Sequence, residues 1–191
     1  MKKNLVISIR LTLVTMIFFG VVYPLIITGI AWVTGPNNGK GETIAAGEKV
    51  YGFAVIGQSF TSDKYFNSRP SAVGYNAAAT GGSNKGPSNP DYLAQVEQRI
   101  TEFLAHNPTV KREDIPVDRV TASGGGLDPH ISVRAAQVQV ARIAAARGMD
   151  ASIVEKSISD NTEGALLGLF GPQRVNVLKL NIELDRLSNK N

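Results

Sequence analysis

The run of apolar positions near the start of the chain sets the frame for everything after it. Residues 11–35, LTLVTMIFFGVVYPLIITGIAWVTG, are twenty-five positions without one charged side chain. At about 1.5 Å per residue a helix of that length reaches roughly 37 Å, beyond the roughly 30 Å hydrocarbon core of a bilayer. The stretch reads as one transmembrane helix, because backbone polar groups in lipid must be paired internally. Pro24 has no N–H and releases the Gly20 carbonyl, so a kink is expected there. Thr12, Met16, Gly20, Pro24 and Thr28 recur every four residues. They form a seam of mostly small groups, with Gly20, Pro24 and Thr28 as candidate helix-packing positions. A cleaved signal peptide is the competing reading, since Gly29 and Ala31 are spaced like a cleavage site. The apolar run far exceeds a signal peptide's hydrophobic region and reaches that site with no polar stretch before it.

Beyond the span the periodicities are short. Residues 36–49, rich in Gly, Asn, Lys and Pro, read as a linker, and the apolar 50–56 (VYGFAVI) as a strand bounded by glycines. No hydrophobic face of either period can be drawn on 69–90, which predicts a long irregular segment, and such segments are often functional. Asn89 as N-cap and Pro90 at the first helical position open a helix whose face is Leu93, Val96, Ile100, Phe103 and Leu104, ended by Asn107-Pro108. A charged surface connection (111–118) and a short strand or extended turn (120–126) follow. A second helix is predicted from an Asp128 cap and Pro129 to Arg147, with Gly148 at C′. Its apolar side is Ile131, Ala135, Val138 and Ala145, with Ala136, Val140 and Ile143 close by. A short helix over 151–158 comes next. Residues 175–184 (VNVLKLNIEL) alternate apolar and polar with a phase slip between Val177 and Leu178, which predicts a half-buried strand with a bulge or bend. Residues 185–191 read as a polar tail.

About 150 residues outside the span suffice for one core and not for two. The expectation is a single α+β, or small α/β, domain over 50–191, anchored by one N-terminal transmembrane helix. Charge adds the orientation. Lys2, Lys3 and Arg10 precede the span and the first charge after it is Lys40, so the positive-inside rule puts residues 1–10 in the cytoplasm and the body outside. The chain has 20 basic and 16 acidic residues. Setting aside the three basic residues of that flank leaves 17 against 16. The positive balance therefore describes topology, and no nucleic-acid partner is expected. With no cysteine, disulfides, thiolate metal sites and cysteine nucleophiles are excluded.

Candidate chemistry lies in two glycine-rich stretches. TGGSNKGPSNP (80–90), with Gly81, Gly82, Ser83, Asn84 and Gly86, offers consecutive N–H groups and hydroxyls before a helix start, and TASGGGLDPH (121–130), with Ser123, Asp128 and His130, does the same. Either could cradle an anion or serve as a tight turn into a helix. No Walker A loop occurs, and the only histidines, His106 and His130, match no metal-ligand spacing, so no metal is expected. No G-x-S-x-G and no Asp-Lys-Thr-Gly phosphorylation sequence is present. No catalytic residue is assigned. Two alternatives from other classes are an anchored extracytoplasmic domain binding a solute or anion, and an anchored hydrolase using Ser83 or Ser123 with His130.

The segments together resemble one family, the C subunit of the Kdp potassium-transporting P-type ATPase. The matching pieces are the span with Tyr23-Pro24, GQSF (57–60), YFNSRPSA with Tyr75-Asn76 after it, GGSNKGPSNP (81–90), VTASGGGLDPHIS (120–132) and RVNVLKLN (174–181). Lys85, Gly125 and Val133 depart from the family's usual apolar residue, serine and proline. The resemblance implies a non-catalytic accessory subunit of a membrane complex that imports potassium at the expense of ATP. Its implied partners are a channel-like subunit that selects the ion and a pump subunit that is phosphorylated. The family is also described as a catalytic chaperone that raises the pump subunit's ATP affinity. ATP enters through the resemblance alone, and no firmly bound cofactor is expected. A body outside the membrane cannot touch cytoplasmic nucleotide, so the glycine-rich loops, together with Arg69, are expected to be interface or structural elements.

Overall fold

The computed structural model describes residues 2–47 and 49–188 and divides the chain into two compact units, residues 1–53 and 54–191. The first unit is led by a helical stretch, Lys2–Thr34, of 33 residues with no buried side chain, long and apolar enough to cross a membrane. It consists of α1 (Lys2–Ile17), a π-helical turn (Phe18–Val22) and α2 (Tyr23–Thr34). The π turn is how the chain accommodates Pro24. The missing N–H would leave the preceding carbonyls short of donors, and the helix widens just upstream, with the Tyr23 N–H reaching back to the Phe18 carbonyl. Thr28 Oγ donates to the Pro24 carbonyl at 2.8 Å. The added Cβ of a substituted Gly20 would meet nothing within 4 Å, so this side of the helix is open to close approach by a neighbour.

The stretch expected to be a featureless linker contains β1 (Thr43–Ala46), which pairs antiparallel with β2 (Lys49–Phe53). The expected strand over 50–56 is thus shorter at its end, and residue 48 lies outside the described residues.

In the second unit α3 (Pro90–His106) begins as expected, with Asn89 Oδ1 accepting from the Tyr92 N–H at 3.1 Å. Of its predicted face Phe103 is buried, Val96, Ile100 and Leu104 are half-buried, and Leu93 is exposed. Residues 111–119 carry two short 3₁₀ turns, and 120–126 is a turn with no strand. The second helix does not start at Asp128. The Asp128 carboxylate accepts from the His130 N–H two residues on, which folds a turn into β3 (His130–Ile131), and Ser132 becomes the cap by accepting from the Ala135 N–H. The helix then breaks at Val138–Gln139 into α4 (Val133–Gln137) and α5 (Val140–Arg147), and Ala145 is exposed. Gly148 ends it with φ +62°, and α6 (Ala151–Asp160) follows under an Asp150 cap.

The largest departure is at the C-terminal end. Strand character stops after β5 (Arg174–Asn176), and Val177–Ser188 is helix α7. The phase slip is the junction between them: Asn176 Oδ1 accepts from the Lys179 N–H and caps the helix. Asp185–Ser188 belongs to α7 rather than to a tail, and residues 189–191 lie outside the described residues. β5 is the central strand of an antiparallel sheet of order β3-β5-β4, with β4 being Thr162–Glu163. Helices α4 to α7 bury Ala135, Ala136, Ile143, Val154, Val177, Leu180 and Leu184 in one core with Ile131 and Val175 of the sheet, which makes the unit an α+β domain.

Candidate functional site

Phe66, wholly buried, plugs that core from a loop, and polar side chains hold the loop by its backbone. Asn181 on α7 accepts from the Phe66 N–H at 2.8 Å and donates to its carbonyl at 3.0 Å. Gln139, at the α4–α5 break, accepts from the Asn67 N–H at 2.9 Å. Arg142 donates to the carbonyls of Asp63 and Tyr65, and Arg119 to those of Asn67 and Ser68. Burial pushes the Arg119 guanidinium down to about 10, although Asp118 and Tyr75 favour its charge.

This grip sets the position of the next residues. Arg69 has its carbonyl bonded by the Tyr75 hydroxyl, and Ser71 Oγ donates to the Gly126 carbonyl at 2.6 Å. The two glycine-rich stretches therefore lie together. The Gly81 N–H is spent on the Gly125 carbonyl at 3.1 Å, and a Cβ on Gly82 would stand 3.1 Å from the Gly124 carbonyl oxygen. Ser123 is buried, while Ser83, Asn84 and Gly86 are exposed. On the other side the Gly57 N–H bonds the Leu127 carbonyl at 2.8 Å, and a Cβ there would sit 2.5 Å from the Asp128 carbonyl oxygen.

These contacts aim a row of charges into an open cleft of about 1090 Å³. Arg69 donates to Asp128 at 3.0 Å. The His130 ring lies between two carboxylates, Nδ1 at 3.6 Å from Asp128 and Nε2 at 3.5 Å from Glu163. Glu163 accepts from Arg174 Nε at 3.1 Å and stands 3.7 Å from Lys179 Nζ. Asp118 lines the same cleft and accepts from the N–H and hydroxyl of Ser132. Burial works to raise the Asp128 carboxyl, and the hydrogen bonds from His130 and Arg69 outweigh it and hold it below its ordinary value. Glu163 is likewise held low against its burial by Arg174, His130 and Lys179.

The family model of KdpC, the K+-transporting ATPase c chain, matches residues 5–186, which takes in the apolar helix, the strap around Phe66, both glycine-rich stretches and α7. The chain belongs to the KdpC family. It is 50% identical over 190 residues to the potassium-transporting ATPase KdpC subunit of Bacteroides fragilis, covering 98% of this chain and all of that one. The KdpC subunit of Flavobacterium johnsoniae is 52% identical over 185 residues, 97% of this chain and 99% of the other. That of Bacillus cereus is 47% identical over 189 residues, 97% and 98%.

Against the residues singled out from the KdpC-like motifs, the structure brings Arg69, Asp128 and His130 together in the cleft, whereas Gly81 and Gly82 pack on the 124–125 backbone and do not line it. Glu163, Arg174, Gln139 at the α4–α5 break and Asn181 on α7 were not singled out as site residues in the sequence. A polar residue on the apolar side of an alanine-rich helix, as Gln139 is, was the available signal. Chemically the cleft fits a polyphosphate poorly, since three carboxylates face two guanidiniums in it, and in the glycine-rich stretch outside it the Gly81 N–H is already bonded. Both ring nitrogens of His130 stand at carboxylates, and neither stands at Ser83 or Ser123. Among the described residues no three His, Asp or Glu side chains group as a metal site.

Proposed function

We propose that this chain is a non-catalytic accessory subunit of an ATP-driven potassium-import complex. Its body lies outside the membrane over the outer mouth of the channel-like subunit, and its apolar helix packs beside the complex through the Gly20 and Thr28 side. The family match over nearly the whole chain carries the subunit assignment. The orientation rests on Lys2, Lys3 and Arg10 before the span against Lys40 as the first charge after it. Any effect on the pump subunit's affinity for ATP is then indirect, through the conformational equilibrium of the complex. The bonded Gly81 N–H and the carboxylate-lined cleft support this over direct nucleotide contact.

The test uses the absence of cysteine. Single cysteines at Ser83 and Ser159, both exposed, are treated in intact cells with a membrane-impermeant thiol reagent. Labelling without lysis is the expected result. Protection until lysis, with both sites labelling afterwards, places the body in the cytoplasm and restores the nucleotide reading of the glycine-rich loops.

A further inference from the structure

Strands β4 and β5 do more than complete the sheet, because the chain between them continues outward as a hairpin. Residues 164–172, GALLGLFGP, carry no charge. Leu166 and Phe170 pair backbone to backbone, the Leu166 N–H to the Phe170 carbonyl at 2.8 Å and the reverse at 3.0 Å. Continuing the Glu163–Arg174 register would set Leu166 opposite Gly171, so the return strand holds one extra residue, which Gly171 absorbs at φ +84°. At the tip Leu167 and Gly168 both have positive φ, +55° and +73°, and the Leu169 N–H closes on the Leu166 carbonyl, a type I′ turn.

Such a turn favours Asn, Asp or Gly, and a leucine at its first corner is strained. Among the described residues no packing compensates for it. The side chains of Leu166, Leu167, Leu169 and Phe170 are 69%, 81%, 81% and 63% exposed. The other exposed large hydrophobics of this unit, Val55, Leu93, Val117 and Ile153, are scattered along the chain, whereas these four lie within five consecutive residues, and such a contiguous apolar tip marks a contact surface. Two features identify what it contacts. The base of the hairpin is clamped to the central strand by the Glu163–Arg174 pair, so the tip is presented rather than loose. Leu166, Phe170 and Pro172 also form one wall of the ion-lined cleft, with Pro116 and Val117 elsewhere on its lining. A lipid surface could take the tip, but it would leave Asp118, Asp128 and Glu163 facing hydrocarbon or headgroups at the same contact. A folded protein segment can cover the apolar wall and enter the cleft together.

We propose that hairpin 164–172 and the adjoining cleft are the docking element of this chain for another subunit of the same ATPase complex. The partner presents an apolar patch that receives Leu167, Leu169 and Phe170, with a neutral or basic side chain reaching the cleft, where carboxylates outnumber guanidiniums. The proposal rests on the reading of the chain as a subunit and names the surface through which it acts.

The full chain with Leu167→Cys is prepared in bilayer nanodiscs, once alone and once co-expressed with the other subunits and isolated as the complex. Thiol-labelling rates are compared, with Ser159→Cys as the reference. The expected result is at least tenfold slower labelling of Cys at 167 in the complex than alone, with the reference unchanged. Equal rates in the two states overturn the proposal. Slow labelling already in the chain alone overturns it too, in favour of lipid or a second copy of the chain. Leu169→Cys repeats the measurement should the first substitution disturb the turn. Failure of the chain to co-isolate with the other subunits, while it folds normally alone and without either cysteine, sinks the subunit reading itself. Co-isolation with an unprotected tip sinks the hairpin alone.

Discussion

Replacing Asn181 by Ala tests whether the body is held together through the backbone of one loop residue. Asn181 is buried, and both ends of its amide are used, Oδ1 on the Phe66 N–H and Nδ2 on the Phe66 carbonyl. The alanine removes two hydrogen bonds and leaves a buried donor and a buried acceptor unpaired. Each orphaned group costs about 1–3 kcal/mol, so the body loses about 2–6 kcal/mol. For a domain of this size that lowers the melting temperature by roughly 5–15 °C. Trp32 lies in α2, so the body should be followed by near-ultraviolet circular dichroism of its tyrosines, in the full chain in mild detergent. Hydrogen exchange at the Phe66 amide adds a local reading and should accelerate more than that of Val175. Asn181→Asp separates polarity from pairing: the carboxylate still accepts from the Phe66 N–H but faces its carbonyl with no donor, so it too should destabilise at neutral pH. A melting temperature within about 2 °C of the parent for Asn181→Ala would refute the reasoning, because the loop backbone would then have to find other partners at no cost.

Two further expectations come from the site itself. Gly57→Ala should destabilise the body by about 1–3 kcal/mol, since its Cβ meets the Asp128 backbone at 2.5 Å and neither is the end of a flexible side chain. Gly86→Ala meets nothing within 4 Å at an ordinary φ and should be neutral within about 0.5 kcal/mol; thermal melts of the two variants side by side decide the matter. The ion pairs predict an acid limit. Asp128 and Glu163 are both held below their ordinary values in the folded state, so the unfolded chain binds protons more readily as the pH falls. Their stabilisation is complete above the ordinary carboxylate range, about pH 4, and is lost as the pH drops through the lowered values. Urea melts of the parent and of Asp128→Asn with Glu163→Gln should therefore converge as the pH is lowered. A constant difference between them from pH 7 to pH 3 would contradict the assignment.

What the sequence made legible was whatever local chemistry decides. The Asn89-Pro90 start of α3 and the Gly148 stop of α5 each depend on a few neighbouring residues and stand where they were read, and the apolar helix ends within a residue of the expected span while starting earlier, at Lys2. The misreadings share a cause, a local signal overruled by a distant partner. Asp128 has the look of a helix cap, yet its carboxylate is taken by Arg69, 59 residues away, and by the His130 N–H, so the cap passes to Ser132. Residues 177–184 alternate like a strand, but the alternation includes Asn181, a polar residue that faces the core because a loop 115 residues earlier needs its amide. Counted in helical steps, the less buried positions Lys179, Glu183 and Arg186 fall on one stripe, and Asn176 supplies the cap. The helix was present in the sequence once Asn181 was allowed inside.

The candidate site divides in the same way. Arg69, Asp128 and His130 stand in motifs whose unusual composition singles them out, whereas Glu163 lies outside every such motif and Arg174 opens one read as a strand, and both acquire their meaning only when β4 and β5 pair and set them across from each other. The same pairing carries the chain out into 164–172. That apolar stretch received no assignment from the sequence, and the structure shows its four large side chains exposed. The strap around Phe66, the carboxylates beside His130 and the exposed tip are therefore parts of one arrangement. The buried amides and guanidiniums fix Arg69, Arg69 and Arg174 hold the carboxylates ionised at the cleft, and β5 anchors the hairpin that walls it. Disturbing Asn181 should therefore loosen the tip's protection in the assembled complex as well as the body, whereas disturbing Leu167 should leave the body as stable as before.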